Sequence, residues 1–142
     1  MKNKIFLIFI AFLILSACGG KKEIKQISME SKIASEAISL VESIKDFYVK
    51  KNLSPIAEIS TQEGYRDIMD AIKHFDTVDL AFTPRFIEIE GGKVYLNMAW
   101  KGTWTVGNET FRERGMAVFL LEGKPLKLSR VLRGNPFRYP ER

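Results

Sequence analysis

The sequence predicts an α+β fold in which N-terminal helices pack on a four-stranded antiparallel sheet. Three observations predict it. Apolar residues recur every three or four positions between Ser31 and Phe75; beyond Val78 they alternate instead; and three two-residue turn candidates, Gly91-Gly92, Gly107-Asn108 and Gly123-Lys124, cut the remainder into four strands. Helices first and strands afterwards is the order of a segregated α+β domain, not of parallel βαβ units.

Ahead of the helices lies an address. Lys2 and Lys4, the apolar run from Ile5 to Leu15 and the tetrapeptide Leu15-Ser16-Ala17-Cys18 have the form of a secretory signal. The start is basic, the apolar stretch is too short to span a bilayer as an ordinary helix, and small residues precede the break. Leu-Ser-Ala-Cys also resembles the lipobox of bacterial lipoproteins. That resemblance implies removal of residues 1–17, acylation of Cys18 as the new N-terminus, and a membrane-anchored place in the cell envelope. Residues 18–30 then form the lipidated cysteine and its tether, with two glycines and three lysines between Gly19 and Gln26. Gly19-Gly20 resembles no inner-membrane retention signal, which favours the outer membrane.

Removing 17 of 142 residues leaves 125, and lowers the net charge from +5 to +3 because Lys2 and Lys4 leave with the signal. A chain of this length forms one domain that buries roughly two thirds of its unfolded surface. Cys18 is the single cysteine, so no disulfide is available and stability must come from the core. The mildly basic balance comes with no zinc-finger spacing, helix-turn-helix signal or run of five basic residues, so no nucleic-acid partner is expected. No phosphate loop, nucleophile elbow or cysteine–histidine set is present, and no cofactor is expected.

The first helix is expected over Ser31–Lys51, where Ile33, Ala37, Leu40, Val41, Ile44, Phe47 and Tyr48 form one stripe and Asn52 and Pro55 stop it. Ser60 and Glu63 read as a capping box for a second helix over Thr61–Phe75, striped by Tyr65, Ile68, Met69, Ile72 and Phe75. The four strands follow. The domain is expected to span 31–137, with residues 138–142 as an extended tail.

Two-residue turns fix the pairing by arithmetic. Trp104 should face Phe111, Trp100 Gly115, Met98 Ala117, Leu96 Phe119 and Val94 Leu121, while the other two turns add Ile87, Ile89 and Arg85, and Leu126, Leu128, Arg130 and Leu132. One apolar face results, interrupted by Arg85, Glu113 and Arg130. Arg85 and Arg130 fall on one cross-strand row, so both guanidinium groups are expected to converge beneath the helices. There a partner is required, since an unpaired buried charge is costly. Glu42, Asp46 or Glu113 would supply it internally; an anionic ligand is the other reading. Thr83-Pro84 breaks the alternation before Arg85, which predicts a bulge.

The opposite face gathers Phe86, Ala99, Met116, Val118, Leu120 and Val131 around Asn97 and Ser129. Such a patch calls for cover, either by a second copy of the chain or by the chain's own tail through Phe137. Lys101, Arg114 and Arg133 should share a row beside it with Arg112 near, as solvated ends or as a site for an anionic partner. His74, Asp67 and Asp70 share the polar side of the second helix. Three such residues on a charged helix face are more often solvated than metal-bound, and no metal site is expected.

The chain from Ile33 to Phe137 resembles the NTF2-like superfamily, through the long opening helix ending Asp46-Phe47-Tyr48, the hairpin from Lys93 to Leu121, and the closing strand Leu126–Leu132 followed by Gly134-Asn135-Pro136-Phe137. The resemblance implies a curved sheet whose concave face the helices cover as a cone, and pairing through the other face. Enzymes of that superfamily use tyrosine with aspartate or histidine inside the cone. Here Asp46, Tyr48 and Glu113 would stand near the cavity with Trp100 beside them, and no histidine would. The reading favoured by these features is a non-catalytic envelope domain that binds a small ligand or an envelope protein. Proton-transfer catalysis and a purely structural assembly role are the alternatives. The test between binding and assembly is whether the cone is open or filled.

Overall fold

The computed structural model describes residues 28–141, so Cys18 and the signal lie outside the described residues. Helix α1 runs Met29–Val49, starting earlier than expected because the Ser28 side chain caps the Ser31 amide. It buries Ala37, Val41, Ile44 and Tyr48, one apolar stripe at helical spacing. At its end Lys51 adopts a left-handed φ of 58°, and the Lys51 and Asn52 amides return to the Tyr48 and Phe47 carbonyls. This closes the last turn in the Schellman pattern, and a 3-10 turn over Ser54–Ala57 follows.

Helix α2 is Gln62–Met69, shorter than the pattern predicted. Its cap is Thr61, whose Oγ1 accepts from the Gly64 amide at 3.2 Å, and not Ser60. Ser60 is occupied in pairing: residues 59–61 lie parallel to the last strand, with the Thr61 amide on the Leu128 carbonyl and the Leu128 amide on the Ile59 carbonyl. After Met69 the chain unwinds, and Phe75 reaches the core from a loop.

Strands β1 (Thr77–Glu90), β2 (Lys93–Val106), β3 (Glu109–Glu122) and β4 (Lys127–Arg133) form a sheet in the order β1-β2-β3-β4. Every neighbouring pair is antiparallel. The two helices pack against this sheet, so the architecture is α+β. The first two turns have the expected length: Glu90 pairs with Lys93 across Gly91-Gly92, both at positive φ, and Val106 pairs with Glu109 across Gly107-Asn108. The whole predicted β2–β3 register is therefore present. The expected bulge also falls between Pro84 and Phe86, with Arg85 as the extra residue.

The third connection departs from expectation. Glu122 pairs with Lys127, not Pro125, so the loop is longer than two residues, and a second irregularity leaves Ser129 unpaired between Leu121–Leu128 and Leu120–Arg130. Leu128 keeps its place on the helix-covered face, fully buried. Every residue after Ser129 changes side: Arg130 pairs with Leu120 on the outer face and Val131 with Phe119 on the inner one.

Candidate functional site

Among the described residues, the inner face of the sheet is filled by side chains and carries no open cone. Trp104, Tyr48, Phe119 and Phe137 are fully buried at its centre, with Phe75 and Trp100 nearly so. Trp104 can lie flat across the sheet because its neighbour on β2 is Gly102; a Cβ there would overlap the indole ring. Trp100 lies in the same way over Gly115, where a Cβ would fall 2.8 Å from the ring. Trp104 Nε1 donates to the Tyr48 hydroxyl at 2.8 Å, and Trp100 Nε1 donates to the Gly134 carbonyl at 2.9 Å. Burial pushes the Tyr48 phenol up to about 12, against a smaller opposing effect of the Trp104 hydrogen bond.

The C-terminal segment completes the filling. After a 3-10 turn over Pro136–Arg138, Tyr139 packs on Trp100 and Trp104 with ring centroids at 5.1 and 5.8 Å. Phe137 stacks edge-on against Tyr48 at 5.0 Å. Pro140 is buried. Residues 138–140 are thus part of the packed body and not an extended tail, and Phe137 turns inward, so it does not cover the outer face.

The proposed pocket residues are consequently dispersed. Tyr48 and Trp100 both lie in the buried core between helices and sheet. Asp46 is exposed on α1, beside Lys45 at 3.7 Å. Burial works to lower the Lys45 ammonium, but contact with Glu42 outweighs it, aided by Asp46, and the net shift is upward. Glu113 belongs by register to the inner face, opposite Gly102, but β4 has ended before that row and leaves it exposed at an edge. Arg85 is exposed at its bulge, over a shallow cavity shared with Lys101, Arg114 and Met116.

Arg130 does not join Arg85 on an inner row. Its side chain is 49% exposed, and its Nε donates to Asp67 Oδ2 at 2.8 Å. The hydrogen bond and charge of Asp67 raise the guanidinium above its ordinary value, with a further pull from Glu63. Its counter-charge is therefore none of Glu42, Asp46 and Glu113. Asp67 is a hub: the same oxygen accepts from the Val131 amide at 2.9 Å, and its backbone carbonyl accepts from Asn135 Nδ2 at 2.9 Å. One residue of α2 so ties together β4 and the C-terminal segment. In the sequence Asp67 is one polar residue of a helix face, and nothing local marks a partner so distant in the chain. Of its companions there, His74 Nε2 lies 3.6 Å from Asp76.

On the outer face Phe86 and Met116 are 55% and 41% exposed. Val118 and Leu120 lie beside them by register. Val131 leaves this patch for the core, and Leu132, paired with Val118, takes its place. Lys101 and Arg114 are paired directly. Arg133 is not on their row, since it pairs with Ala117. Compared with known proteins, the chain matches no family model and no curated relative.

Proposed function

We propose that this chain is a bacterial lipoprotein, anchored in the cell envelope through Cys18, whose NTF2-like domain is non-catalytic and acts by binding a protein through the outer face of its sheet. The first such partner is a second copy of the chain. The observation that carries this reading is the contrast between the two faces. The inner face is spent on its own core, with both indole N–H groups satisfied internally, while Phe86 and Met116 stand exposed on the outer one. A filled cone speaks against a small ligand held inside it and, of the readings weighed, favours assembly through protein contacts, beginning with the chain's own pairing. Asp46 and Glu113, exposed, and Tyr48, buried with its hydroxyl engaged, make no shared site for proton transfer. The helices-then-meander order supports the NTF2-like reading.

Two measurements on the full chain test it. Cys18→Ala should abolish fatty-acid labelling and membrane retention in a bacterial host while leaving the tryptophan fluorescence of the folded domain unchanged; unaltered membrane fractionation overturns the lipoprotein reading. In non-ionic detergent, sedimentation should give a dimer for the wild type and a folded monomer for Phe86→Lys/Met116→Lys. A monomeric wild type at high concentration overturns pairing.

A further inference from the structure

A groove of about 700 Å³ runs along the β4 edge, between α2 and the C-terminal segment. Five cations line it: Arg66 on α2 and Lys73 beyond its end, Arg130 and Arg133 from β4, and Arg138 from the 3-10 turn. Three carboxylates share it, Asp67, Asp70 and Glu141. Asp67 is already committed to Arg130 and the Val131 amide. Among the described residues, no carboxylate lies within 4.0 Å of the charged nitrogens of Arg66, Lys73, Arg133 or Arg138.

The central feature is how Arg130 is held. Its Nε is spent on Asp67, which fixes the plane of the guanidinium, while its Nη groups donate to no protein atom among the described residues. A guanidinium fixed by Nε presents its remaining N–H groups as a pre-oriented fork, the geometry suited to bidentate contact with an oxyanion. Arg133, at the end of β4, adopts a φ of 65°, a backbone conformation that residues other than glycine, asparagine and aspartate rarely take. Such an outlier is retained where the surroundings hold it, and here it stands at the wall of the groove.

We propose that this groove binds a phosphate-bearing anion, with the free fork of Arg130 as the central contact and Arg66, Lys73, Arg133 and Arg138 around it. Phosphate fits better than a single carboxylate because it has more acceptor oxygens and greater charge, and so engages several cations at once. The groove is also far larger than one carboxylate needs. Its source is either a soluble phosphate compound or the headgroup of an anionic lipid. The proposal does not rest on the pairing reading, since neither Phe86 nor Met116 lines the groove.

Calorimetric titration of the full chain in non-ionic detergent at fixed ionic strength tests it, with inorganic pyrophosphate as one probe and glycerophosphoglycerol, the headgroup of an anionic phospholipid, as the other. Saturable binding that falls at least tenfold in Arg66→Gln/Arg138→Gln is expected for at least one probe, with the unliganded melting temperature unchanged. Lys101→Gln/Arg114→Gln removes equal charge from the outer face and should leave binding intact. Preference for pyrophosphate assigns a soluble ligand, and preference for the diester assigns a lipid headgroup. No saturable binding of either probe, or equal loss in the outer-face control, overturns the proposal. Should the double variant fail to fold, Arg138→Gln alone gives the same comparison.

Discussion

Trp104 and Tyr48, one from the second strand and one from the end of the first helix, are both fully buried and joined by an indole-to-phenol hydrogen bond of 2.8 Å. The bond crosses the interface between helix layer and sheet, and satisfies the one polar atom that the largest core side chain brings inside.

Tyr48→Phe should therefore destabilise the fold by roughly 1–3 kcal/mol, the cost of stranding the Trp104 N–H. Urea melts monitored by tryptophan fluorescence measure it.

The same pair sets an alkaline limit. Burial holds the Tyr48 phenol protonated up to about 12 in the folded protein, while the unfolded chain ionises near the ordinary value of 10.0. Above that value the unfolded state binds fewer protons, so stability is lost as pH rises through the window from 10.0 toward about 12. The loss approaches roughly 2–3 kcal/mol at the upper end, at 1.36 kcal/mol per unit. Tyr48→Phe should remove this contribution, so its melting temperature should converge on that of wild type between pH 9 and pH 11. Parallel curves would contradict it.

Gly102→Ala should cost roughly 1–3 kcal/mol or more, because the new methyl occupies space held by the Trp104 ring and the ring must shift. A changed tryptophan emission accompanying a lower urea midpoint would separate this from a generic strand effect.

Phe137→Ala should cost roughly 3–5 kcal/mol, as for other buried aromatic residues. Stability unaffected by this substitution would show that the C-terminal segment does not close the core.

Asp67→Ala should remove the acceptor shared by Arg130 and the Val131 amide, costing roughly 1–3 kcal/mol and speeding hydrogen exchange at Val131. Asp67→Asn keeps one carbonyl acceptor and should cost less. Equal exchange rates in wild type and Asp67→Ala would refute the hub.

Where glycine turns dictate geometry, the sequence was legible. Gly91-Gly92 and Gly107-Asn108 allow only short reversals, so Trp104 with Phe111 and Leu96 with Phe119 follow by counting. The stripe of α1 and the bulge after Pro84 were readable for the same reason, since each is dictated by residues adjacent in sequence. The Ser60 cap and the length of α2 were not, because Ser60 is claimed by a strand that comes much later in the chain.

The order of helices and strands, the pairing of the first three strands and the residues available for the core are all written along the chain. Those are local: a period of 3.6 or 2 and a turn are written in neighbouring residues. The faces that Arg130 and Val131 occupy are set by long-range packing, because they depend on a Ser129 left out of the strand pairing and held by contacts from far along the chain. Asp67 accepts from both Arg130 and Val131, and residues 59–61 pair with Leu128. With a side-chain period of two, one extra residue exchanges inside for outside. That step turned an expected buried arginine of a ligand cone into the exposed fork of an edge groove, and left the cone to be filled by Trp104, Tyr48 and Phe137.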